Sequence, residues 1–275
     1  MTQLPFVDGA YRTAPRPVSW LARTLPSLFF HSRFFTIGFR AGLTAKWSHY
    51  GDREWIQSSL KVLRALENVG VQFEITGIEH LQQLDTPCLV VGNHMSTLET
   101  AVLPGIIQPV RKVTFVVKSS LLEYPIFKHV MRSRDPISVS QTNPRQDLKA
   151  MLAGGMERLN KGISIIIFPQ GARTAAFDPA RFNTIGIKLA QRAGVPIVPL
   201  ALLTDAWAMG KYFPDFGKID PTKKVHFAFG EPLWVQGRGT QEHEAIIQFI
   251  RQKLHAWQEK SEAARDCALS MTNGR

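Results

Sequence analysis

The chain has 275 residues, enough for one domain with a full core, alone or with an appendage. Apolar residues make up 44% and charged residues 20%, the balance of an ordinary globular enzyme. Two cysteines, Cys88 and Cys267, lie far apart, which excludes metal or redox spacing and fits a reducing compartment. Lys plus Arg number 33 against 22 acidic residues, a net charge of +11. That excess calls for an anionic partner: nucleic acid, a membrane surface or a phosphorylated substrate. The basic residues are spread without a dense run or a nucleic-acid motif, which argues against nucleic acid.

Residues 1–17 contain three prolines and read as an irregular arm. The first 50 residues hold six basic side chains (Arg12, Arg16, Arg23, Arg33, Arg40, Lys46) and one acidic one, Asp8. Between 18 and 48, Trp20, Leu21, Leu25, Leu28, Phe29, Phe30, Phe34, Phe35, Ile37 and Phe39 crowd together. Pro26 splits this window, so it predicts two short helices. Arg33 and Arg40 are seven apart and share a stripe of the second. Aromatic residues with scattered arginines suit a helix lying in a membrane interface, and they equally suit packing against the main domain. The charge-free stretch 86–98 is too short for a transmembrane span, and no secretory signal is expected. The expected address is the cytoplasmic face of a membrane, held peripherally or monotopically.

From residue 53 a regular alternation begins. A helix over 55–69 ends at Gly70, and 71–75 reads as a strand. Further strands are expected at 88–91, 113–117, 137–139, 163–168, 197–202 and 225–229. Helices are expected at 98–106, 121–131, 145–160, 183–193 and 241–258. The pattern predicts an α/β fold with a mixed, mostly parallel central sheet and helices on both faces, preceded by a short N-terminal helical pair. Three parts follow: an arm and interfacial helices over 1–50, an α/β domain over 51–260, and a polar, disordered tail over 261–275.

Two strand ends carry candidate chemistry, since open α/β sheets bind ligands at the carboxyl ends of their strands. After strand 88–91 comes Asn93-His94-Met95-Ser96-Thr97-Leu98-Glu99. His94 can take a proton from a hydroxyl near neutral pH, and a carboxylate against its other nitrogen would fix the tautomer. Glu99 lies in the first turn of the next helix, where it can fold back to the ring. Ser96-x-x-Glu99 also matches a capping box, a purely structural use of the glutamate. After strand 163–168 comes Phe168-Pro169-Gln170-Gly171-Ala172-Arg173-Thr174. Gly171 permits an unusual turn or a close backbone approach, and Arg173 offers a fork of donors suited to phosphate. A third stretch, Val195-Pro196-Ile197-Val198-Pro199-Leu200, is either the wall of an apolar groove or a proline-edged strand.

Together, in this order, these pieces resemble the glycerolipid acyltransferase family, which includes the 1-acylglycerol-3-phosphate acyltransferases. The resemblance covers roughly residues 70–232. It implies His94 as general base and Glu99 as its orienting partner. It implies Gln170, Gly171, Arg173, Asn93 and Ser96 as substrate-binding residues, with Gly171 and Arg173 at the acceptor phosphate. The implied reaction, part of membrane lipid biosynthesis, moves a fatty acyl group from acyl-CoA or acyl carrier protein to a lysophospholipid hydroxyl. No cofactor or metal is implied. The sequence departs from the family pattern at Gln170 (usually glutamate), Ala172 (usually threonine) and Asn183 (often lysine). The second family motif usually ends a strand with an arginine, whereas Pro136-Ile137-Ser138-Val139-Ser140-Gln141 has none. Arg132 and Arg134 precede that strand and are candidates to substitute. Another lysolipid, such as a lyso-aminolipid, is therefore the alternative acceptor. A lipid hydrolase would lack a Gly-x-Ser-x-Gly elbow here, and a non-enzymatic anionic-membrane binder is the remaining rival.

Overall fold

The structure is a computed structural model that describes the backbone of residues 3–125 and 127–273 and the side chains through 263, residue 126 excepted. The Cys267 side chain and residues 274 and 275 of the expected tail lie outside that description. Eight strands form one sheet among the described residues: β1 (Tyr11–Arg12), β2 (Phe73–Thr76), β3 (Leu89–Gly92), β4 (Val113–Lys118), β5 (Ile137–Val139), β6 (Ser164–Ile167), β7 (Ile197–Leu203) and β8 (Val225–Phe229). Their order is β1-β2-β8-β7-β3-β6-β4-β5. The five strands from β7 to β5 run parallel. β8 is antiparallel to β7, β2 runs with β8, and β1 is antiparallel to β2. The mixed, mostly parallel sheet is the expected one.

The apolar runs become buried strands because alternate side chains enter cores on opposite faces. Val90, Ile166, Val198 and Leu200 point into one core, and Leu89, Val91, Ile165, Ile167 and Ile197 into the other. The first core is covered by α2 (Pro26–Trp47), α3 (Asp52–Asn68) and α5 (Thr97–Ile107), and the second by α7 (Pro144–Asn160), α8 (Ile185–Ala193) and α9 (Thr240–Asn273). Two shorter helices, α1 (Trp20–Thr24) and α4 (Glu79–Gln82), and one following β4, α6 (Lys128–Ser133), complete the set. Helices on both faces match the expectation.

Pro26 sits at the first position of α2, where its missing N–H costs nothing. The split into two helices is therefore as expected, but the second is not short: it runs 22 residues. Its two sides differ. Phe30 and Phe34 are buried against Trp207, with ring centroids 4.7 and 5.0 Å away. Burying each contributes about 2 kcal/mol, and it ties residues 1–50 into the first core together with Leu4 and Tyr11. The N-terminal arm is also more ordered than expected, since it contributes edge strand β1. Tyr11 Oη and Thr13 Oγ1 donate to the buried Glu67 carboxylate at 2.5 and 2.7 Å.

Two expected elements are corrected. The single helix over 121–131 is instead a 3-10 turn, Ser119–Glu123, followed by α6, because Pro125 cannot continue the first piece. The expected disordered tail after 260 continues α9 as helix to Asn273. Its polar composition gave no tertiary reason to extend the helix, but it contains no proline or glycine to stop one before Gly274. Val195 to Leu200 is no groove wall. Val195, Pro196, Ile197, Val198, Pro199 and Leu200 are all buried, and β7 is a central strand flanked by β3 and β8.

Candidate active site

β3 lies between β6 and β7, so the loops after these three strands converge at one edge of the sheet. Asn93, the first residue after β3, extends the ladder through its side chain. Its Nδ2 donates to the Leu202 carbonyl and its Oδ1 accepts from the Leu202 N–H, both at 2.9 Å. The chain then turns into α5 with Ser96 as N-cap, whose Oγ accepts from the Leu98 N–H at 3.1 Å. This turn brings Glu99 back under His94.

Nδ1 of His94 lies 2.8 Å from Glu99 Oε1. The same oxygen accepts from the Met95 and Ser96 N–H groups at 2.6 and 2.8 Å. Oε2 accepts from the Ser96 hydroxyl at 2.8 Å and from Thr204 Oγ1 at 2.6 Å. The capping box and the histidine partnership are thus both present, made by one carboxylate. Glu99 is 0% exposed and His94 17%. Burial alone would raise the Glu99 carboxyl pKa; the bonds from His94, Thr204 and Ser96 outweigh it, and the group is held below its ordinary value. With the carboxylate on Nδ1, the neutral ring carries its proton there and leaves Nε2 as the basic nitrogen. The ring stacks on Phe168 at 4.3 Å and 5° between planes, which fixes its plane.

The second strand end clamps the first. Gln170 Oε1 accepts from the His94 N–H at 2.9 Å, and its Nε2 donates to Thr174 Oγ1 at 2.7 Å. The Thr174 N–H returns a bond to the His94 carbonyl at 3.0 Å. Gly171 has φ +72° with open space where a Cβ would stand, so it serves a left-handed turn rather than a close approach. Arg173 Nη1 contacts Thr97 Oγ1 and pairs with Asp215 Oδ1 at 2.6 Å, while Thr97 donates to Asp215 at 3.0 Å.

The structure therefore brings His94, Glu99, Gln170 and Arg173 together. Asn93, Ser96 and Gln170, expected at the substrate, are all buried, with their side-chain polar atoms bonded to the protein. Arg132 and Arg134 do not replace the missing motif arginine. They precede β5, at the end away from the site, and pair with Glu123 and Asp52. After β5 stands Gln141, whose Nε2 donates to the Gly171 carbonyl at 2.8 Å. Sequence reading missed Thr204, Phe168 as a stacking partner, and Asp215. Each comes from a distant segment, and only Phe168 lay within a motif already singled out. Among the described residues, no three His, Cys, Asp or Glu side chains gather as a metal set.

A family model described as Acyltransferase matches residues 72–203, the stretch from the start of β2 to the end of β7. A 1-acyl-sn-glycerol-3-phosphate acyltransferase of Pseudomonas aeruginosa is 28% identical over 205 residues, spanning 74% of each chain. The chloroplastic 1-acyl-sn-glycerol-3-phosphate acyltransferase BAT2 of Brassica napus is 30% identical over 141 residues, 51% of this chain and 39% of that protein. The fold is shared with the crystal structure of the 1-acyl-sn-glycerophosphate acyltransferase PlsC of Thermotoga maritima, with a TM-score of 0.61 and 19% identity over 86% of this chain and 97% of that one. Residues 72–203, which enclose both strand ends and the His94–Glu99 pair, form an acyltransferase-family domain, and the chain is an O-acyltransferase.

Proposed function

We propose that the chain transfers a fatty acyl group from a thioester, acyl-CoA or acyl carrier protein, to the free hydroxyl of 1-acyl-sn-glycerol-3-phosphate, in membrane lipid biosynthesis. The observation that carries this reading is the 2.8 Å contact between His94 Nδ1 and Glu99 at the carboxyl end of β3. Nε2 of His94 takes the proton of the acceptor hydroxyl as its oxygen attacks the thioester carbonyl. The tetrahedral intermediate collapses, the C–S bond breaks, and the thiolate leaves with the proton held on His94. Glu99 stabilises the imidazolium in between. Arg173 meets the acceptor phosphate. A groove of about 600 Å3 beside Met95 offers Phe177 and Leu203 with Arg251 and His255, a lining suited to a donor with an apolar chain and a phosphorylated arm.

The Asp215 carboxylate against Arg173 favours a second acceptor reading, because a lyso-aminolipid headgroup carries an amine that could pair with it. The enzyme works from the cytoplasmic face of a membrane, held peripherally. Trp20, Leu28, Phe39 and Trp47 are 74%, 63%, 63% and 75% exposed, and with Leu21, Phe35, Leu43 and the junction residue Leu25 they form an apolar ridge along α1 and α2. Among the described residues no helix is long and apolar enough to cross a membrane.

The test is incubation of the purified protein with labelled acyl-CoA, acyl carrier protein and a panel of lysolipids, read by mass spectrometry. A new diacyl product from the phosphate acceptor is expected. Free fatty acid as the sole product, whether or not acceptor is present, would mean a hydrolase.

A further inference from the structure

Between α2 and α3 lies a groove of about 650 Å3 that the acyl-transfer site does not use. One wall carries Arg33 and Arg40, and the other carries Lys61 and Arg64. Arg33 and Arg40 lie two turns apart on one stripe of α2, so both heads reach the same trough. Arg33, Arg40 and Lys61 make no ion pair among the described residues, and all three are exposed. Arg64 is held in place by Glu67 at 2.6 Å and by Tyr11 Oη at 2.9 Å. The lining has one carboxylate, Glu54, whose Oε2 accepts from the Gly51 N–H at 2.9 Å. With Arg64 paired to Glu67, three cations against one acid leave the groove positive, and Ser58 and Tyr50 add neutral polar groups.

Position relative to the ridge decides the occupant. At about 100° per residue, Arg33 and Arg40 stand between roughly a third and nearly half a turn from Leu28, Phe35 and Phe39. A molecule bound by the arginines therefore has its phosphate in the groove and its apolar part beside the ridge. We propose that this groove binds the headgroup of an anionic phospholipid, a second lipid site separate from the one that reacts. Arg forks suit phosphate oxygens geometrically, and the neighbouring ridge supplies the surface for acyl chains that free phosphate lacks. The far wall is fixed: Ser59 of α3 donates to the Ala101 and Val102 carbonyls and accepts from the Gly105 N–H at 2.8 Å, joining the groove to α5.

The proposal rests on the reading that α2 lies in the membrane interface, and two arms separate the failures. In the first, short-chain phosphatidylglycerol is titrated as a monomer by calorimetry, with short-chain phosphatidylcholine and inorganic phosphate in parallel. Saturable binding is expected for phosphatidylglycerol, with at least tenfold weaker binding of the other two. Arg33→Gln/Arg40→Gln should weaken it at least tenfold. Lys149→Gln/Arg192→Gln, which removes the same charge from exposed positions on α7 and α8, should leave it within about twofold, as expected for surface charges screened by salt. Equal effects of the two double variants, or equal affinity for inorganic phosphate, would overturn the site. In the second arm, Leu28→Ser/Phe39→Ser is tested for flotation with phosphatidylcholine vesicles. Retained flotation there overturns the interface reading alone.

Discussion

Replacing Glu99 separates its two tasks, because glutamine can keep the cap while losing the charge. The three N–H donors on Oε1, from His94, Met95 and Ser96, keep an amide oxygen to bond. The donors on Oε2 are both hydroxyls, of Ser96 and Thr204, which can rotate and accept from the new NH2. Glu99→Gln should therefore fold and keep the His94 tautomer. What it loses is attraction to the imidazolium formed during transfer. The burial cost of the carboxylate is the same before and during the step, so it cancels from the barrier. Two unit charges about 4 Å apart in an effective dielectric near 20 attract by about 4 kcal/mol. That is an upper bound worth roughly 10³ in rate, so kcat should fall about 10²- to 10³-fold with KM little changed. Glu99→Ala instead strands five donors in a buried site and should destabilise the fold by about 3 kcal/mol or more. Steady-state kinetics and thermal melts on both variants provide the assay. Glu99→Gln activity within threefold of the parent would show that the carboxylate is only a helix cap.

Asp215→Asn removes the carboxylate paired with Arg173, which under the proposed function competes with the acceptor phosphate for that guanidinium. The pair is partly exposed, so its effect is about 1 kcal/mol, and KM for the phosphate acceptor should fall about fivefold with kcat unchanged. If an amine-bearing acceptor is the better substrate, its KM should rise instead; no change with either acceptor removes Asp215 from recognition. His226, stacked on Trp257 at 4.8 Å, has its pKa lowered from 6.5 to about 4, first by burial and then by Lys224. The unfolded chain binds this proton below about 6.5, while the folded chain refuses it until about 4, so stability falls as pH drops through that window. A gap of this size is worth up to about 3 kcal/mol. His226→Phe should flatten the melting temperature between pH 7 and 4, and an unchanged slope would refute the assignment.

The sheet was legible because its strands are continuous β-branched runs that serve two buried faces, as Ile165, Ile166 and Ile167 do. The helix over 121–131 was not, because its apolar periodicity outweighed one proline in the reading and not in the molecule. For the N-terminal helices, composition left interface and core packing as alternatives; the structure gives α2 a buried side at Phe30 and Phe34 and an exposed one at Leu28 and Phe39. At the site, local spacing was enough to pair His94 with Glu99, five residues apart. It did not show which of the motif side chains brace the loop. Asn93 and Ser96 belong to the brace because β7 brings Leu202 and Thr204 beside them, more than 100 positions away. Asp215 was out of reach for the same reason. Its segment is carried to Arg173 by packing of Phe216 on Phe35 at 5.0 Å and by the 2.8 Å contact between His31 Nε2 and the Gly217 carbonyl.

The most direct measurement is transfer by His94→Ala, with labelled thioester and lysolipid and the diacyl product quantified by mass. With His94 as the base, kcat should drop about 10²- to 10⁴-fold while acceptor binding stays near the parent value. Transfer at close to the parent rate by a folded His94→Ala protein would contradict base catalysis at this site.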